Sequence, residues 1–519
     1  MPRRPKPKNA LSAGERAALY EAEQEKKLQN LSAALPKRES AEQIAEEVPH
    51  VTLESEAVTA SMPAKAKKPK PKPASATVHV DFSIHTGKVK PMHGMCNGPI
   101  SYGADISDVF REIGVPIVRF DATDTAISRS AIDISRIFKN PDADPTDPES
   151  YDFTDTDKYV DAAMYSGAQV IYRLGESRDV FGTKSVPVMS DTDALSRVCV
   201  NIIRHYNDGW AGGRHYGIKY FEILNCPDDR AEMSERIELY RRLANAVKLH
   251  DEEIKVGGLS FERASDAKEF LRAAKRGRIS VDFITLDFFS GDPISMRGDI
   301  EGVFAYAQNL GFEDIEIFVG KWSFIDESIL DGSDVRSILA SGVEKARKVK
   351  KEIFLSQRTV KGAAFAAATM LLLNQTEGVA GACFYDAEPN LSPFCALTDR
   401  FGEVEKPFYC FKAFGELYRA GRAVFSAVES PEDCAHSGIF ASAAVSDLGE
   451  GYLMIASLGG CGVVDLRLEG FGENLYSADV YMLDGVKNMS FADSVPISGM
   501  KKRIVLNVSE YGAMLIKLH

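Results

Sequence analysis

Tyr220-Phe221-Glu222-Ile223-Leu224-Asn225-Cys226-Pro227-Asp228 is a short apolar run that stops on Asn-Cys-Pro. Aromatic and β-branched residues in so short a stretch predict a buried strand, and Pro227 ends it because proline offers no ladder donor. Seven similar runs surround it: Met92–Asn97, Val115–Asp121, Ala168–Gly175, Ile254–Leu259, Val281–Phe289, Ile315–Trp322 and Val379–Asp386. Helix-compatible stretches lie between and after them, at Ile106–Ile113, Tyr159–Ser166, Ala194–Tyr206, Met233–Leu249, Ala264–Ala274, Gly302–Leu310, Val360–Asn374 and Phe408–Ala420. Eight strands alternating with helices over roughly 330 residues predict a (β/α)8 TIM barrel, with a doubly wound sheet as the weaker alternative.

Beyond residue 422 the helical pattern stops. Short alternating runs take over at Gly438–Val445, Gly451–Ser457, Val463–Leu468, Ala478–Leu483, Ile504–Val508 and Ala513–Leu518. They predict a C-terminal antiparallel β-sandwich over 423–519, with the early strand Thr77–Ser83 joining it. The barrel is expected over 77–422. Residues 1–76 close on the Lys/Pro-rich run Ala64–Pro73 and read as a disordered tail, with one helix-compatible stretch from Ser12 to Leu35.

The whole chain has 519 residues and a formal net charge of −13. Residues 1–76 hold 14 Lys/Arg against 10 Asp/Glu, leaving 48 against 65, or −17, for the remainder. So acidic a body is a poor nucleic-acid ligand. Eight cysteines, at 96, 199, 226, 383, 395, 410, 434 and 461, form no Cys-x-x-Cys pair, so reduced thiols are expected. The nine histidines show no ligand-like spacing, and neither a metal nor another cofactor is expected. MPRRPKPKNA has no apolar segment after its charges, and no run is long enough to span a bilayer, which leads to an expected cytoplasmic location.

Barrel chemistry sits at the carboxyl ends of the strands. On that rule His93 and Asn97, Arg119 and Asp121, Arg173 and Glu176, Asn225 and Cys226, Asp287, Lys321 and Trp322, and Tyr385 and Asp386 converge. Glu222, four residues before Cys226, is expected inside the barrel in a buried pair with Arg119 or Arg173.

Asn225-Cys226-Pro227-Asp228 and Lys321-Trp322 carry a resemblance to glycoside hydrolase family 39. That family's corresponding segments look like Trp-Asn-Glu-Pro followed by aspartate, and Asn-Glu-Trp. Tyr172-Arg173-Leu174-Gly175 and Lys406-Pro407-Phe408-Tyr409 are similar as well. The resemblance implies a barrel that binds and cleaves sugars. It also implies that Cys226 stands at the acid/base position and Lys321 at the nucleophile position. Where the family shows histidines, this chain has Asp121 and Asp287.

Retaining glycosidases need two carboxylates about 5 Å apart. A thiol and an ammonium do not supply them, so the expectation is a degenerate glycosidase that keeps a carbohydrate-type pocket lined by His93, Asp121, Glu176, Asn225, Asp287, Trp322, Tyr385 and Asp386. Its ligand would be a small carbohydrate or an anionic sugar. Two alternatives stay open: hydrolysis by other carboxylates among Asp287, Asp121, Glu176 and Asp386, or a scaffold that recruits a protein partner through residues 1–76.

Overall fold

A computed structural model of the chain describes residues 75–101, 103–121, 130–177, 191–223, 233–330, 343–390, 392–429, 438–460, 462–471, 477–497 and 502–519. The expected tail, apart from 75–76, and the segment from Leu224 to Asp228 lie outside the described residues. So does Ser12–Leu35.

Eight parallel strands close a barrel: β2 (Gly94–Cys96), β3 (Ile117–Arg119), β4 (Gln169–Leu174), β5 (Tyr220–Ile223), β6 (Lys255–Gly258), β7 (Phe283–Ser290), β8 (Glu316–Phe324) and β9 (Val379–Phe384). β9 pairs back onto β2, Gly94 opposite Cys383. Each falls on one of the eight runs read from the sequence. The helices between them follow the same pattern with several differences, among them a helix over Thr154–Tyr165 where Tyr159–Ser166 was expected and the short helices Ile134–Ile137 and Glu327–Leu330. The helix expected at Gly302–Leu310 begins earlier and spans Pro293–Asn309, capped by Asp292, whose carboxylate accepts from the Ile294 amide at 2.9 Å. Asp-Pro at a helix start is a readable signal. The helix Val343–Gln357 was not expected; its charged sequence hides the apolar stripe of Ala346, Val349 and Ile353.

Alternation along the strands sorts the barrel interior into layers. Ile117, Ile171, Tyr220, Phe283 and Phe318 form a lower apolar layer with Cys96 and Cys383. Two residues further along each of four strands come Arg119, Arg173, Glu222 and Thr285, all buried. A period of two along a strand therefore puts a charged layer directly above an aromatic one.

The remaining strands form one nine-stranded sheet, mostly antiparallel and nearly closed. It contains β1 (Ser75–Lys88), β10 (Arg422–Glu429), β11 (Ile439–Val445), β12 (Gly451–Leu458), β13 (Val463–Glu469), β14 (Ser477–Leu483), β15 (Ser490–Pro496), β16 (Lys502–Asn507) and β17 (Tyr511–Leu518), in the order β15-β14-β17-β12-β11-β10-β1-β13-β16. β1 joins as expected and runs parallel to β13, while β10 pairs with it antiparallel. Neither β10 nor β15 was among the expected strands; β15 is mostly exposed and shows no clear alternation.

The helix Val360–Gln375, apolar all round, packs between the barrel and this sheet. Burial on both sides explains its composition. Its polar end is pinned: Asn374 accepts from the Lys90 amide and donates to Ser442 Oγ, each at 2.8 Å. No helix among the described residues is long and apolar enough to cross a membrane.

Candidate functional site

The charged layer begins with a fork-to-fork pair. Arg119 Nε and Nη2 each donate to Glu222 at 3.0 Å, and neither side chain has any exposed surface. Thr285 Oγ1 donates to the same carboxylate. A third donor of Arg119, Nη1, reaches the Gly320 carbonyl at 3.3 Å. Burial opposes the arginine's charge, but Glu222 and then Asp287 outweigh it and hold the guanidinium well above its ordinary pKa. Of the two partners anticipated for Glu222, the fold selects Arg119.

Above this floor, Lys321 Nζ lies 2.9 Å from Asp121 and 3.7 Å from Asp287. Ser260 ties the two levels together, accepting from Arg119 Nη2 at 3.3 Å and donating to Asp287 Oδ2 at 2.7 Å. Asp287 Oδ1 is buried and has no hydrogen-bond partner among the described residues. Burial pushes the Asp121 carboxyl up, but Lys321, Arg119 and Arg173 together bring it down to about 2, so it is an anion at neutral pH.

The position of Lys321 depends on one inserted residue. Along β7 and β8, Leu286 faces Val319 and Asp287 faces Lys321, so Gly320 is extra. Such a bulge reverses which residues point inward. Without it Lys321 would face the helices. With it, Lys321 enters the barrel and Trp322 turns outward, fully buried against Phe365, Phe384 and Phe411. A Cβ at position 320 would stand 3.0 Å from Asp287 Oδ1 and 3.1 Å from the Arg119 guanidinium carbon, which leaves little room for any side chain. Trp322 is therefore a core residue, and the expectation that it lines the pocket is corrected.

Asn97 continues the site toward β9. Its Oδ1 accepts from the Asp121 amide at 2.9 Å and its Nδ2 donates to Asp386 at 3.2 Å. Asn390 Nδ2 and the Glu388 amide complete the shell of Asp386 at 3.0 and 3.2 Å. Burial raises the Asp386 carboxyl to about 6, against these hydrogen bonds and with help from Asp121. Tyr385 lies beside it, with Lys321 Nζ 5.8 Å from its ring centre.

Glu176 occupies the other flank. It accepts from the amide and hydroxyl of Ser135, both at 2.8 Å. Burial, and then the neighbouring Asp133, lift its carboxyl to about 7. Asp133 itself is held by Arg173 and by the amide and hydroxyl of Ser177, the latter two at 2.7 Å.

Asp121, Asp287, Lys321, Tyr385 and Asp386 thus come together, with Glu176 on the flank. His93 does not join them. It is fully buried, with Nε2 3.1 Å from the Gly114 carbonyl and its ring against Phe414 and Tyr418 on the outside of the barrel. Burial drops its pKa to about 3, as suits a neutral core imidazole. Alternation explains the placement, since His93 precedes β2 on the face turned to the helices. Asn225 and Cys226 lie outside the described residues. Ser260, Asp133, Ser135, Glu388 and Asn390 were not anticipated; Ser260, Glu388 and Asn390 follow closely on barrel strands, so widening the strand-end rule by a few residues would have found them, whereas Asp133 and Ser135 cap and enter the short helix Ile134–Ile137.

No protein-family model and no curated protein matches the chain. Solved structures do. A glucosidase from Croceicoccus marinus is 21% identical at a TM-score of 0.67, covering 86% of this chain and 99% of that one. A family 39 glycoside hydrolase from Xanthomonas axonopodis pv. citri is 14% identical at 0.57, covering 86% and 97%. A monomeric β-xylosidase from Caulobacter crescentus CB15 is also 14% identical at 0.57, covering 85% and 99%. The fold of this chain is the one found in glycoside hydrolases, family 39 enzymes among them.

Proposed function

We propose that this protein binds a small carbohydrate at the mouth of its barrel and does not cleave it by the two-carboxylate route. The observation that carries the reading is the contact among Asp121, Asp287 and Lys321. These are three of the positions at which the chain departs from the family 39 pattern, and here they compensate one another. A lysine at the nucleophile position brings a positive charge where an oxocarbenium-like transition state develops. Two carboxylates then neutralise that lysine, which ties them up as well. Such a set suits binding, in which fixed donors and acceptors meet sugar hydroxyls.

The test is a screen of aryl xylosides, glucosides and arabinofuranosides beside calorimetric titration of the free sugars. The expected result is binding without turnover. Hydrolysis that disappears in Asp121→Asn or Lys321→Ala would overturn the proposal. The contact also predicts that Lys321→Glu alone restores nothing, because a third carboxylate would join Asp121 and Asp287. Recovery of activity would need Cys226→Glu, Lys321→Glu, Asp121→His and Asp287→His together.

One observation favours a second reading. Asp386, raised to about 6, neighbours Asp121, lowered to about 2, and a pair with separated pKa values is what an acid and a base require. Under that reading Asp386 donates the proton and Asp121 or Asp287 acts as the anion, with Glu176 in reserve. It predicts measurable hydrolysis that falls by about two orders of magnitude or more in Asp386→Asn.

A further inference from the structure

The charge inventory of the barrel mouth selects among sugars. Among the described residues, the three cations of the layer are each committed to a carboxylate. Arg119 is spent on Glu222, Lys321 on Asp121 with Asp287 behind it, and Arg173 on Asp133. Against these three cations, the described residues place seven carboxyl groups in or beside the layer: Glu222, Asp121, Asp287, Asp133, Asp386, Glu388 and Glu176. The inventory is acidic even if two carboxyl groups share or keep a proton. A lysine at such a mouth suggests at first an anionic sugar. Once it is paired with two carboxylates, an incoming carboxylate or phosphate would have to displace one of them and would meet the others at close range.

A second feature points the same way. Asp287 is only 5% exposed, yet its Oδ1 has no hydrogen-bond partner among the described residues, while Oδ2 takes the proton of Ser260. A buried carboxylate oxygen left unpaired is costly, and a donor brought by a ligand would relieve it. Arg119, whose charge also acts on Asp287, already directs its donors at Glu222, Gly320 and Ser260.

Resting on the carbohydrate-binding reading above, we infer that the preferred ligand is a saccharide carrying a basic nitrogen, an amino sugar, ahead of the neutral sugar, with sugar acids and sugar phosphates excluded. The ammonium supplies donors to the unpaired Asp287 oxygen and balances the excess carboxylate. A neutral sugar supplies only hydroxyl donors and leaves the excess in place.

The experiment titrates the full chain, at pH 7.5 and low salt, with matched trios: glucose, glucosamine and glucuronate, then galactose, galactosamine and galacturonate. The expected order is amine, then neutral sugar, then acid, with about a tenfold step between amine and neutral sugar, as for one charge-assisted hydrogen bond. That step should shrink as salt is raised. Asp287→Asn should reduce the preference for the amine several-fold while the neutral sugar still binds. Asp386→Asn, lying beyond Asn97, serves as the companion variant should Asp287→Asn fail to fold. An acid that binds as tightly as the amine, or an amine no better than the neutral sugar, overturns the inference and leaves the carbohydrate pocket standing. Binding of neither trio removes the pocket reading, and the inference falls with it.

Discussion

The two sheets of this molecule treat charge in opposite ways. Inside the nine-stranded sheet the described core is mainly apolar: Val78, Val80, Leu453, Ile455, Val464, Leu466 and Ile516 are all at or near zero exposure. Inside the barrel, Arg119, Arg173 and Glu222 are just as buried. Buried ion pairs contribute little net stability compared with well-packed apolar residues. The sheet therefore stabilises at low cost, whereas the barrel holds a desolvated layer whose value lies in shaping what sits above it. Two interiors have been built on opposite rules within one chain.

The sharpest way to break this contrast is to unpair the barrel layer. Glu222→Gln leaves the Arg119 guanidinium buried without its counter-charge and should cost about 3–5 kcal/mol, measured by urea unfolding. Replacing both partners, Arg119→Met with Glu222→Leu, should cost clearly less. Equal losses would mean that packing, rather than charge, governs the layer.

In the sheet, Leu466→Ala removes a fully buried side chain and should cost about 3 kcal/mol by leaving a cavity. Its effect should not change with pH between 5 and 8, because the described residues packed around Leu466 in that cluster are apolar. A marked pH dependence there would blur the distinction drawn between the two interiors.

The smallest expected effect is also the most specific. Glu176 is raised from 4.5 to about 7, so the native state holds its proton more tightly than the unfolded chain. Stability from this group is full below about pH 4.5 and is lost as pH rises through 7. Glu176→Gln should therefore match the wild-type protein near pH 4.5 and exceed it at pH 8, by no more than about 2 kcal/mol after screening. A constant difference across that range, followed by thermal unfolding, would show that the Ser135 contacts, not the charge, set its contribution.

Much of the barrel was legible because each strand is short, apolar and bounded by helical sequence. The strand-end rule also named Asp121, Asp287, Lys321, Tyr385 and Asp386, which lie together in the fold. It misplaced His93 and Trp322 for one reason. Nearness to a strand end does not say which face a side chain takes, and both residues face the helices. Ser260 and Asn390 escaped notice because a serine or asparagine in a loop has no distinctive local pattern; their roles follow from the carboxylates they reach.

Local sequence carries the alternation of eight strands with helices, the shift to short strands after residue 422, and the charged residues where the barrel strands end. These are local matters, written in periodicities of two and 3.6 residues. Only the tertiary structure decided that Glu222 pairs with Arg119, 103 residues away, and that Asp121, Asp287 and Lys321 meet as one ion-paired group. The same is true of Gly320, whose insertion between two paired strands turns Lys321 inward and Trp322 outward. A bulge exists only relative to the neighbouring strand, so its consequence cannot be read from one strand alone.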